Sequence, residues 1–260
     1  MILFHRDLGE AGKPPLVILH GFLGSSRNWQ TAGRDLAENF HVFALDLRNH
    51  GGSPHEDEMT YEAMTADVLA WLDGQGFPRV SLLGHSMGGK VAMQLACRHP
   101  ERVERLIVVD IAPKDYHWPE RREEFTAMNE LDLTHLASRA EAERQFESRV
   151  PDWAMRKFLL TNLDRGPGES WRWQINLPVL TAAIGNLEKN SLEPDDRFAG
   201  PTLFVTGGKS RYIRPKDAGE IRRHFPAAMI ETIAEAGHNP HMETREAFVR
   251  AALAANQSGV

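Results

Sequence analysis

The chain has 260 residues, 42% of them hydrophobic and 25% charged, a balance that suits one main α/β domain with insertions and excludes both a disordered chain and a membrane protein. A formal charge of −6, with no concentrated basic face, argues against nucleic acid or an anionic membrane as the main partner. The only cysteine, Cys97, excludes an intrachain disulfide and a multi-cysteine metal site, and is expected to be a small buried filler.

At the amino terminus, "MILFHRDLGEAGKPP" carries an apolar run too short for a signal peptide, and no later stretch approaches the length of a membrane span. Cytoplasmic residence without membrane insertion is the resulting expectation. Strand-like runs then follow in order: "PLVILHG", "HVFALDL", "VSLLGH", "RLIVVDIA", "PTLFVTGG" and "AMIETIAEAG". Most are continuously apolar, as strands buried on both faces of a parallel sheet must be. Helical patterns separate them at Trp29 to Asn39, Tyr61 to Gln75, Met87 to His99, Asp217 to Phe225 and Glu243 to Ala255. That alternation predicts a doubly wound, mostly parallel twisted sheet flanked by helices.

After Asp110 the rhythm stops, and no strand is predicted before Pro201. The interval is rich in Glu, Arg and Ala with amphipathic spacing, and reads as a helical cap. The expected organisation is a core of residues 1–110 and 201–260 with a cap at 111–200. The insertion leaves and rejoins the sheet at strand carboxyl ends, the side where open α/β sheets bind ligands.

Gly84-His85-Ser86-Met87-Gly88, between a predicted strand and a predicted helix, fits the G-x-S-x-G nucleophile elbow. A serine on so sharp a turn needs small neighbours, which Gly84 and Gly88 supply, and the following helix directs its amino-terminal dipole at Ser86. One oxyanion donor is then the Met87 amide. The other is expected from Phe22, just after the strand end His20-Gly21.

Chain order in such enzymes runs serine, acid, histidine, which selects His238 as base, with His241 ranked second. A metal site built on His238 and His241 lacks a third ligand in the spacing. The acid usually follows the penultimate strand, yet "GGKSR" holds no carboxylate and Asp217 comes too late. Asp110 ends the strand before it in an apolar setting where an unpaired carboxylate is costly, so Asp110 is assigned as the acid and Asp115 is the nearest substitute.

"HGFLGSS", "DLRNHGGS", "GHSMGGK", "VVDIAP" with "DYH", and "GGKSRY" with "GHNPH" together resemble the α/β-hydrolase superfamily, specifically its small bacterial YbfF-type esterases. The resemblance runs from the first buried strand to the final helix, and "RNHG" with "DIAP" is its most specific part. It implies Ser86 as nucleophile, Asp110 as acid, His238 as base, and the amides of Phe22 and Met87 as oxyanion donors. In that subfamily the acid follows the sixth strand, which supports Asp110.

Asp46 and Arg48 read as structural ties in a loop beside the site. His20, His50, His85, Trp153 and Tyr212 are the expected pocket residues, and Trp118, Trp171 and Trp173 either wall the pocket or pack the core. The function expected is hydrolysis of esters or thioesters through an acyl-enzyme, with short to medium acyl chains implied by the resemblance, by a monomer or homodimer, with neither cofactor nor metal. Lys114, Arg121, Arg122 and Arg211 offer basic groups for an acyl-CoA, although carboxylates are interspersed among them. A carbon–carbon bond hydrolase of diketone-like substrates and a non-turnover ligand receptor are the alternatives.

Overall fold

A computed structural model describes residues 1–166, 168 and 170–257. Its main sheet has seven strands: β1 (His5–Asp7), β2 (Pro15–Leu19), β3 (His41–Leu45), β4 (Val80–His85), β5 (Val103–Val109), β8 (Thr202–Gly207) and β9 (Ala228–Ile233). Their order is β1-β3-β2-β4-β5-β8-β9, and all neighbours are parallel except β1, which pairs antiparallel with β3. β1 is absent from the sequence expectation; its three polar-to-amphipathic residues are recruited by backbone pairing with β3, which leaves no hydrophobic period to detect.

Strand periodicity divides the apolar side chains between two layers. Val17, Leu19, Leu82, Leu106 and Val108 pack with Val68 and Leu72 of α2 (Tyr61–Gln75) and with Val91 and Leu95 of α3 (Met87–Arg98). Leu16, Ile18, Leu83, Ile107 and Val109 face the other way, against Leu36 of α1 (Gln30–Leu36) and Phe248 of the last helix (Arg245–Gln257). The central strand β4 is buried at all six positions, so the elbow that follows it stands on a strand packed on both faces. Cys97, expected to be buried filler, is only half-buried, because it lies near the outer end of α3.

Between β5 and β8 the chain leaves the sheet. The segment holds α4 (Pro119–Glu130), α5 (Arg139–Phe146), α6 (Trp153–Leu160) and α7 (Leu177–Leu187). It also holds a hairpin of β6 (Leu163–Arg165) and β7 (Trp171–Trp173), where only helices were expected. Among the described residues, no helix is long and apolar enough to cross a membrane.

Both ends of this segment are tied at Glu188. Its carboxylate accepts from the Trp118 amide at 2.6 Å and from Arg122 at 2.8 and 2.9 Å, and its carbonyl accepts from the Tyr116 amide at 2.7 Å. The Arg122 guanidinium holds the Glu188 carboxyl down to about 2. From beneath, the fully buried Lys90 of α3 donates to the carbonyls of Leu187 (3.4 Å), Glu188 (3.2 Å) and Lys189 at the carboxyl end of α7, among the rings of Tyr61, Tyr116 and Trp118. Lys90→Met keeps the aliphatic stem but leaves these carbonyls short of donors, and is expected to cost about 3 kcal/mol in urea unfolding.

Candidate active site

Ser86 sits between β4 and α3 with φ 51° and ψ −118°, a conformation that leaves a side chain little room. The turn exists because its flanks are bare. A Cβ at Gly84 would lie 2.3 Å from the Gly88 carbonyl oxygen, and one at Gly88 would lie 2.5 Å from the His20 carbonyl oxygen. The Ser86 amide is bound by the Val109 carbonyl at 3.0 Å, so β5 holds the elbow and delivers Asp110 with the same stretch of chain.

Asp110 follows β5, the fifth strand of this chain, also with a positive φ of 51°. Its carboxylate is 0% exposed. Oδ1 accepts from Thr206 Oγ1 and from the Gly207 amide, each at 3.1 Å, while Oδ2 accepts from Ser210 Oγ and lies 2.8 Å from His238 Nδ1. Such a cradle is what lets a carboxylate stay buried. The turn after β8, which lacks an acid of its own, therefore serves the acid from the neighbouring strand. Asp115 instead accepts from the Asn190 amide at 2.7 Å, and Asp217 pairs with Lys114 at 2.5 Å.

His238, in the loop after β9, places Nε2 3.1 Å from Ser86 Oγ. The Asp110 carboxylate keeps the proton on Nδ1, which leaves Nε2 as the acceptor for the Ser86 hydroxyl. Tyr212 stacks on the imidazole with ring centroids 3.7 Å apart and planes 16° apart, holding its orientation. Burial lowers the His238 pKa, against the raising effect of Asp110.

Above these groups lies a cavity of about 550 Å³, lined by Phe22, Trp29, Ala154, Met155, Phe158 and Met242 together with His20, His85, Ser86, Arg121, Tyr212 and His238. Its apolar walls and few convergent polar groups suit a small ligand with an apolar arm. A second depression lined in part by Lys114, Trp118 and Arg211 shares Arg121, Asp152, Met155 and Tyr212 with it.

Of the expected pocket residues, His20, His85 and Tyr212 line this cavity. His50 does not: it is fully buried behind His20 and Phe22, with ring centroids 5.0 and 6.2 Å from theirs, because its loop forms the layer beneath the β2 turn. Trp153 does not either. It is 62% exposed, since the first residue of α6 points outward while Met155 and Phe158 face inward. The cavity tryptophan is Trp29, whose ring stacks on His241 at 4.0 Å. Asp46 and Arg48 are structural ties with separate partners: Asp46 accepts from the Ser26 and Gly52 amides, and Arg48 grips Asp67 at 2.6 and 2.9 Å. His241 lies against His85 rather than within reach of Ser86, with centroids 4.8 Å apart. Among the described residues, no group of three or more His, Cys, Asp or Glu side chains is placed to hold a metal ion. Thr206 and Ser210 were not singled out by the sequence; the hydroxyl in a turn that lacks its carboxylate was the available signal.

A profile of the alpha/beta hydrolase fold family matches residues 14–244. The mouse sn-1-specific diacylglycerol lipase ABHD11 is 39% identical over 252 residues, covering 94% of this chain and 81% of that protein. Esterase YbfF of Escherichia coli (strain K12) is 33% identical over 237 residues, 91% of each chain. A solved structure of a marine microorganism esterase superposes with a TM-score of 0.94 at 37% identity, over 97% of this chain and 98% of that one.

Proposed function

From the chain's membership of the alpha/beta hydrolase family, as a carboxylesterase-type hydrolase of the esterase and lipase kind, we propose that it cleaves short to medium acyl esters or thioesters with Ser86 as nucleophile, His238 as base and Asp110 as orienting acid. The observation that carries this reading is the imidazole of His238 between Ser86 Oγ (3.1 Å) and Asp110 Oδ2 (2.8 Å) at the floor of an apolar cavity.

In the first step Ser86 Oγ attacks the acyl carbonyl and His238 Nε2 takes its proton, while the Asp110 carboxylate faces the imidazolium charge that results. The developing oxyanion falls to the amides of Met87, at the amino terminus of α3, and Phe22, in the turn after β2. His238 then returns the proton to the leaving alcohol or thiol. Water repeats the sequence on the acyl-enzyme, with His238 again as base, and frees the acid.

Segment 111–200 acts as the cap in this reading, with Met155 and Phe158 roofing the acyl chain. The mouse relative's name adds diacylglycerols to the esters worth testing. Carbon–carbon hydrolysis and a receptor role gain no observation of their own.

The test is trapping and turnover. A fluorophosphonate is expected to label Ser86 at one per chain, located by peptide mass, and p-nitrophenyl esters are expected to turn over with an optimum at short to medium acyl length. Because burial lowers the His238 pKa, the acid limb of kcat/KM should fall below pH 6.5, with activity rising as pH increases through it. Labelling elsewhere, or no turnover on any chain length, refutes the proposal.

A further inference from the structure

The residue after the Phe22 amide, Leu23, holds a left-handed backbone with φ of 60°. A leucine pays roughly 1–2 kcal/mol for that conformation, so it persists only where its surroundings hold it. Both of its polar backbone groups are gripped. His50 Nε2 accepts from the Leu23 amide at 3.3 Å, and Asn162 Nδ2 donates to the Leu23 carbonyl at 2.9 Å, both out of contact with water.

The two side chains are themselves aimed. His50 Nδ1 lies 2.9 Å from the Arg48 carbonyl, to which it donates, so the lone pair is left on Nε2 for the Leu23 amide. Asn162 stands between α6 and β6; its Nδ2 also donates to the Leu159 carbonyl at 3.3 Å, and its backbone carbonyl accepts from the Gln174 amide at 2.8 Å. It is nearly fully buried. One jaw of this clamp therefore belongs to the core domain and the other to the cap, and the Phe22 ring is seated between the same two bodies, against His50 and against Phe125 of α4 at 5.5 Å.

We propose that Asn162 and His50 are positioning residues for the oxyanion donor: by holding both polar groups of Leu23 they fix the Phe22 amide where negative charge develops. The cap thereby contributes to the chemical step as well as covering the cavity. This rests on the reading of Phe22 as a donor. Loss of an oxyanion donor costs about 10²–10³ in turnover, and a displacement of about 1 Å costs about 10²; loosening without removal should therefore cost about 10- to 100-fold.

The experiment compares wild type with Asn162→Leu, Asn162→Ser and His50→Phe, and with His50→Gln, which restores an acceptor near the place of Nε2. Each is assayed well below its own melting temperature on one p-nitrophenyl ester, and for inhibition by a trifluoromethyl ketone, which forms a tetrahedral oxyanion on the serine. The expected result is a kcat lowered about 10- to 100-fold with KM within about twofold, inhibition weakened by the same factor, and substantial recovery in His50→Gln. Asn162→Ser is too short to reach Leu23 and carries the test if the leucine variant does not fold. Unchanged kcat and inhibition, or changes confined to KM and melting temperature, overturn the proposal. If wild type itself binds the trifluoromethyl ketone no better than the plain methyl ketone, it is the oxyanion reading that fails, whatever the variants do.

Discussion

Asp110→Asn is expected to lower kcat about 10⁴-fold near pH 7 with little change in KM. The cradle dictates how the amide must lie. The Gly207 N–H and the Thr206 hydroxyl point at Oδ1, so the asparagine oxygen has to stay there and its NH₂ has to occupy the place of Oδ2. That NH₂ then faces His238 Nδ1, which must turn acceptor and pass its proton to Nε2. An N–H directed at Ser86 Oγ cannot take the serine proton. Asp115→Asn is the matched control and should stay within about twofold of wild type, because Asp115 is engaged with the Asn190 amide instead. Steady-state kinetics on one p-nitrophenyl ester decide the matter: a fully active Asp110→Asn ends the assignment.

Acid unfolding is the second large effect. His20, His50, His85, His238 and His241 cluster around the site, and burial pushes the pKa of each below the ordinary imidazole value, to about 3 for His50 and His241. A histidine that stays neutral in the folded protein and takes a proton near pH 6.5 when unfolded leaves stability intact above that pH and removes it below. Each such group withdraws about 1.4 kcal/mol per pH unit. Between pH 6.5 and 4.5, His50 and His241 alone remove roughly 5 kcal/mol, comparable with the whole stability of many domains. Urea midpoints measured from pH 7.5 to 4.5 should fall steeply below 6.5. His241→Phe should flatten that dependence by about 1.4 kcal/mol per pH unit, since Nδ1 of His241 has no hydrogen-bond partner among the described residues and its ring packs face to face on Trp29. An unchanged slope in this variant would assign the acid lability to other groups.

What the sequence revealed and what it concealed follow from the range over which each signal acts. The elbow is legible because its constraints are local: a strand, a turn that excludes side chains and a helix all lie within Val80 to Arg98. Asp110 is legible because an apolar strand end makes a lone carboxylate costly there. The hydroxyls that serve it are not, because Thr206 and Ser210 reach it from a strand and the turn after it, about a hundred residues away. Strands of three residues, such as β1, β6 and β7, are shorter than any window in which a period can be read. The pocket was least legible. Trp153 and Phe158 are both large and apolar, and only the docking of α6 decides that one faces solvent and the other the cavity. His50 stands near a strand end, yet loops there stack in layers, and it occupies the lower one.

The knot at Glu188 also bears on how the segment between β5 and β8 can move. Arg122, Trp118 and Tyr116, from the outgoing limb, and Leu187 to Lys189, from the returning limb, converge on one anchored point beneath which Lys90 is fixed. Fastened there at both ends, the segment forms a closed loop, so a break at this point loosens both limbs together. Asn162, at the far end of α6, fastens the same loop a second time to the Leu23 carbonyl, and a body pinned at two separated points has no single hinge to turn on.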